Sequence, residues 1–127
     1  MSFTDPQDLS PDLPTPAATN EVTYDLSARS SASGSYRVAG LDLDTPQVLT
    51  VSHEKVKNTG VRRHLVRFDS VQQDGTDPNI LGTISAYVVI AVPPVVATEA
   101  LVEAEVAKLV NFLSTSGHLT KLLNEEI

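Results

Sequence analysis

The chain of 127 residues contains no cysteine, no tryptophan and a single methionine, and only six of its residues are Phe or Tyr. Without cysteine there are no disulfides, no thiol nucleophile and no Cys-ligated zinc, so any chemistry falls to oxygen and imidazole groups. No uncharged apolar run approaches the roughly eighteen residues needed to span a membrane, and the N-terminus lacks a basic stretch leading into an apolar one. The expected product is cytosolic, with no membrane partner. Basic residues are also scarce, nine against sixteen acids, for a net charge of -7. Taken as a whole, this balance opposes binding to a phosphate backbone.

The distribution of charge qualifies that conclusion. Residues 1 to 46 hold seven acids and two bases, and residues 72 to 127 hold the same numbers, whereas residues 47 to 71 hold two acids and five bases. The middle of the chain is therefore a basic island, carried by Lys55, Lys57, Arg62, Arg63 and Arg67. At this length one domain and one core are expected, with 41% hydrophobic residues in the ordinary globular range.

The stretch from Ile80 to Leu113 organises the rest. ILGTISAYVVIAV reads as a long strand, Pro93-Pro94 stops it, and TEALVEAEVAKLVNFL reads as an amphipathic helix with Val102, Val106, Leu109, Val110 and Leu113 on one side. Along the strand, Val88, Ile90 and Val92 alternate with Tyr87, Val89 and Ala91, so both faces are apolar or small. Such a strand belongs at the centre of a sheet, or at an edge completed by a partner chain.

Earlier in the chain, residues 1 to 19 form a Pro-rich arm with no periodicity, expected to make no regular ladder, and residues 20 to 127 form the domain. EVTYDLSAR and YRVAGLDL flank the polar run SSASGS and read as a hairpin over 21 to 43. QVLTVSHEK and GVRRHLVRFDSV flank VKNTG as a second hairpin. A turn at Asn58-Thr59 places Leu49 opposite Phe68, Val51 opposite Val66, His53 opposite His64 and Lys55 opposite Arg62 on one face. The other face pairs Thr50 with Arg67, Ser52 with Leu65 and Glu54 with Arg63 and continues to Asp69, with Ser85 and Tyr87 of the organising strand adding a hydroxyl and an aromatic ring. The apolar face is expected to lie against the helix. QQDGTDPN is a turn-rich loop, and HLTKLLNEEI a second short helix. Strands first and helices last give an α+β fold: an N-terminal β-hairpin and an antiparallel β-sheet, followed by two C-terminal α-helices on one face.

The run from TVSHEK through VRRHLVRFDSV, a Gly/Asp/Pro loop, SAYVVIAVP and the C-terminal helix pair resembles the coat proteins of the single-stranded RNA bacteriophages, the levivirus family. The resemblance covers residues 20 to 127 in element order and length. It implies an intertwined, obligate homodimer whose last strands join into one sheet while each subunit's helices lie across the partner. It further implies an icosahedral shell, a virion location after synthesis in the bacterial host cytoplasm, and an inner sheet surface that holds single-stranded genomic RNA. Binding of an RNA stem-loop to repress translation is implied as well.

Carried onto this chain, the family's RNA-facing positions are Thr50 and Ser52, small hydroxyls that receive a base; Arg63 and Arg67, which contact phosphates; and Ser85 and Tyr87, the latter stacking on an unpaired base. Glu54 stands where the family has a base and Val89 where it often has a polar residue. The loop Gln72 to Asn79 corresponds to the segment gathered around the shell's symmetry axes and lacks the cysteines with which some relatives crosslink there.

On the residues alone, Arg63 and Arg67 read as the solvated face of a sheet, and Tyr87 equally well as a core aromatic. His53 opposite His64 has no third ligand on its face and makes a poor metal site. A triad of Ser52, His64 and Asp69 fails because His64 points to the opposite face. No cofactor is called for and no catalytic set converges. The alternatives to a shell-forming protein are a small α+β RNA-binding dimer and a ligand-binding or enzymatic domain.

Overall fold

Five antiparallel pairings between strands consecutive in sequence build the molecule's main surface. The computed structural model describes residues 3, 5–12, 18–95 and 98–126. Its strands are β1 (Gln7–Leu9), β2 (Val22–Arg29), β3 (Ser33–Arg37), β4 (Gln47–Lys55), β5 (Arg62–Gln73) and β6 (Leu81–Val92), and its α-helices are α1 (Glu99–Ser114) and α2 (His118–Leu123). A single turn of 3-10 helix, Ala18–Asn20, precedes β2. The strands form one six-stranded sheet in sequence order, every neighbouring pair antiparallel.

The β4–β5 hairpin has the register read from the sequence, from Gln47 opposite Ser70 to Lys55 opposite Arg62. Its connection is closed by the Val56 N–H donating to the Val61 carbonyl and the Gly60 N–H donating to the Val56 carbonyl, both at 2.8 Å. Gly60 has φ of 70°, which a residue with a Cβ adopts only at a cost. Thr98 caps α1 through its side-chain oxygen, which accepts from the Leu101 N–H at 3.3 Å. Gly117, with φ of 82°, reverses the chain into α2.

Two sequence expectations are corrected. The arm does join the ladder: between Pro6 and Pro11 the residues Gln7, Asp8 and Leu9 keep the backbone N–H that proline lacks, and they pair with Tyr24, Thr23 and Val22. Asp5 adds a side-chain bond, its carboxylate accepting from the Leu26 N–H at 2.9 Å. Residues 13 to 17 of the arm lie outside the described residues. In the first hairpin, β3 begins inside the polar run, at Ser33, and stops at Arg37, so GLDL is not strand. The reason is local: Ser30 accepts from the N–H groups of Ala32 and Ser33 and closes the turn early.

The core sits on the apolar face at the β2–β4 side, where Tyr24, Tyr36, Leu49 and Val51 are buried and Leu9, Val22, Leu26, Val66 and Phe68 pack against them. Tyr24 meets Phe68 edge to face, with ring centroids 5.7 Å apart. Burial pushes the Tyr24 phenol up from its ordinary range.

The expectation that the helix covers this face is not met within one chain. α1 packs on α2 and makes no comparable contact with any strand. None of its residues is buried, and Val110 remains 56% exposed. A cleft of about 480 Å³ lies between Ile90 of β6 and the helix residues Val102, Val106 and Val110. β6 itself is the last strand of the sheet, unpaired on one side, with Ile84 66% and Tyr87 64% exposed. Of the two positions open to this strand from its sequence, it takes the edge.

Candidate nucleic-acid interface

Strand alternation and register place all six sequence-derived residues on the face opposite the core. Across the sheet, Ser35, Thr50, Arg67 and Tyr87 stand in one row, since Ser35 pairs with Thr50, Thr50 with Arg67 and Arg67 with Tyr87. The row on one side of it runs Ser33, Ser52, Leu65, Val89, and the row on the other runs Arg37, Val48, Asp69, Ser85. Glu54, Arg63 and Ala91 form the row nearest the hairpin tip. The result is a broad, gently polar surface with hydroxyls at the β3–β4 side and an exposed aromatic ring at the β6 edge.

Arg67, Ser85 and Tyr87 are brought together, and the residue that joins them is Asp69. The Arg67 Nε donates to both carboxylate oxygens of Asp69, at 3.0 and 2.9 Å. The Ser85 hydroxyl donates to Asp69 Oδ1 at 2.6 Å, and Arg67 Nη2 donates to Ser85 Oγ at 3.4 Å. Arg67 Cζ lies 5.9 Å from the centre of the Tyr87 ring, at the outer range of a cation–π contact. The hydroxyl of Ser85 first, and then the Arg67 guanidinium, hold the Asp69 carboxyl below the usual carboxylate range. The charge of Arg67 is thus answered within the chain, and its planar group is held beside the tyrosine.

The remaining members stand apart. Thr50 adjoins Arg67 in the row, but among the described residues neither Thr50 nor Ser52 makes a side-chain hydrogen bond to the cluster. Arg63 is exposed and has no ion pair among the described residues, although Glu54 is directly opposite. Tyr87 is not a core residue; its ring is open to solvent, as a stacking platform must be. On the other face, His53 and His64 bond to one another, Nδ1 to Nδ1, at 2.8 Å. The bond occupies Nδ1 of each ring, one nitrogen donating and the other accepting.

The sequence reading placed Asp69 on this face but gave it no role, and it did not include the β3 serines. Asp69 follows Arg67 by two residues on the same face, which is itself a signal, but its partner Ser85 depends on the β5–β6 register. The hydroxyls of Ser33 and Ser35 extend the Ser52 and Thr50 rows. Their place in these rows depends on β3 starting at Ser33, inside the polar run.

No protein-family model matches the sequence, and no curated protein matches it. Solved structures do match in fold. The coat protein of bacteriophage EMS014 overlays with a TM-score of 0.71 at 15% identity, covering 99% of both chains. A virus-like particle of bacteriophage AVE019 overlays with a TM-score of 0.73 at 11% identity, covering 95% of this chain and 94% of that one. A virus-like particle of Beihai levi-like virus 21 gives 0.68 at 14% identity, covering 98% and 95%. The chain therefore has the fold of levi-like phage coat proteins over nearly its whole length.

Proposed function

We propose that this chain is the coat protein of a single-stranded RNA bacteriophage, a structural rather than a catalytic protein, found in the virion after synthesis in the host cytoplasm. The observation that carries this reading is the end-to-end overlay on a coat protein and on subunits of virus-like particles. It is supported by what one chain leaves unfinished. β6 has an open edge with apolar side chains on both faces, and α1 has an apolar stripe that its own sheet does not cover. An intertwined dimer completes both at once: β6 pairs with the β6 of a second copy, and each α1 seats on the partner's sheet. Such dimers then assemble into the shell.

The polar face is the surface that meets RNA in this reading. Tyr87 stacks on an unpaired base, Arg67, Asp69 and Ser85 present donors and acceptors beside it, Thr50 and Ser52 receive a second base, and Arg63 meets phosphate. Recognition of a stem-loop by the same face accounts for translational repression. Particles of the double variant Arg63→Ala, Tyr87→Ala are expected to protect several-fold less RNA per subunit from nuclease than wild-type particles, with dimers still formed. An unchanged RNA content contradicts the assignment of this face.

A further inference from the structure

The most exposed large apolar side chain among the described residues is Leu43, at 93%. It stands in the connection between β3 and β4 with an aspartate on either side, Asp42 and Asp44. The Thr45 N–H donates to the Asp42 carbonyl at 3.1 Å, so Leu43 and Asp44 are the central pair of a tight turn at this end of the sheet. All three residues are exposed, and neither aspartate has an ion pair among the described residues. An open leucine bracketed by two unanswered carboxylates is a knob with no socket beside it.

The opposite end of the sheet has the complementary shape and charge. At the tip of the β4–β5 hairpin, Lys55 and Arg62 are exposed and directly opposite each other in register, an arrangement of like charges that weakens a hairpin unless an anion lies beside them. Neither has a carboxylate partner among the described residues. With His53, Glu54 and His64 they line a cavity of about 270 Å³, room enough for one leucine side chain. By alternation Lys55 and Arg62 lie on the face of His53 and His64, away from Thr50, Arg67 and Tyr87, so the polar face does not use them.

The two ends cannot meet within one chain. The nine residues of β4 hold them roughly 30 Å apart at the rise of an extended strand. The partner is a second copy, and the contact is heterologous: the acidic turn of one copy meets the basic socket of another, whereas pairing of β6 with β6 joins like to like. Antiparallel β6 pairing also sets the turn end of one copy beside the socket end of its partner, so each dimer offers two turns and two sockets to its neighbours.

We propose that the Asp42–Leu43–Asp44 turn docks in the Lys55–Arg62 socket of a copy in a neighbouring dimer, with the leucine in the cavity and a carboxylate on each cation. This rests on the shell reading above and names one contact that joins dimers.

Charge reversal tests the contact, with mass read by light scattering after size-exclusion chromatography. The variant Asp42→Lys, Asp44→Lys and, separately, the variant Lys55→Glu, Arg62→Glu are each expected to stop at the two-chain mass. The chain carrying all four substitutions, its net charge unchanged, is expected to regain the large assembly. Lost phosphate contact cannot account for that recovery, because the socket stays acidic in the quadruple variant. A double variant that assembles like wild type overturns the proposal, as does a quadruple variant that stays at the two-chain mass. A double variant that falls to single chains places its residues in the dimer contact, and the proposal is wrong. Proximity is read independently of charge, since the chain has no cysteine of its own. The variant Leu43→Cys, Lys55→Cys is expected to link chains covalently on air oxidation of the assembled protein, whereas each single substitution leaves them unlinked. No linkage in the double variant, or linkage by one substitution alone, overturns the contact while leaving the shell. Wild-type protein that itself stops at the two-chain mass overturns the shell reading and this contact together.

Discussion

Asp69 decides how the centre of the polar face behaves. Its carboxylate takes the Nε of Arg67 and the hydroxyl of Ser85, and the folded form therefore favours the ionised carboxyl. A carboxyl whose titration is lowered by folding contributes stability above its unfolded value, about 3.9, and loses it as pH falls through the folded value. Acid below that range thus releases Arg67 from its fixed position. Because the Ser85 hydroxyl is the larger cause, Ser85→Ala is expected to move the Asp69 titration upward, toward the unfolded value, as followed by NMR of its side-chain carboxyl carbon. An unmoved titration would mean that Arg67 alone sets it. The pairing of Thr50 with Arg67 was legible because a short turn fixes register. The Asp69–Ser85 contact was not, because the seven-residue loop between β5 and β6 allows several registers and nothing in its sequence selects one.

At the level of elements, local signals were strong where one physical cause dominated. The period of α1 gave its span to within a residue. β4 matched in full because its alternation is unbroken from Gln47 to Lys55. β1 was hidden because proline-rich composition masks three pairing-competent residues, and pairing there depends on a strand distant in sequence, β2. The tip of the β4–β5 hairpin depends on Gly60. An added Cβ there would lie 3.4 Å from Pro94, an ordinary contact, so the penalty of Gly60→Ala comes from its φ of 70°. That substitution is expected to cost about 1 kcal/mol, read as a lower urea midpoint at fixed protein concentration. A variant as stable as wild type would show that the connection relaxes to another turn.

At the scale of the whole molecule, a single chain hides little of its apolar surface. Leu49 and Tyr36 are 4% and 2% exposed, yet the helix stripe and the β6 edge remain open. The sequence showed that α1 needs a cover and that β6 is apolar on both faces; it did not show that the chain's own sheet leaves the stripe open, since an amphipathic stripe is the same whether its own sheet covers it or not. Val106 lines the cleft beside Ile90 on a helix with no buried residue, so Val106→Asp is expected to leave the sheet folded while weakening self-association about tenfold or more. Sedimentation should then find single chains at concentrations where the wild type is assembled. Wild-type association of that variant would remove α1 from the interface.

Whether this fold serves as a shell subunit is decided by the mass of the purified protein in solution. Size-exclusion chromatography with light scattering, with nucleic-acid and protein absorbance followed across the same peak, is expected to show a megadalton species that carries RNA. A species with the mass of one or two 13.6 kDa chains, free of nucleic acid in mild salt, would leave the fold in place and contradict the shell.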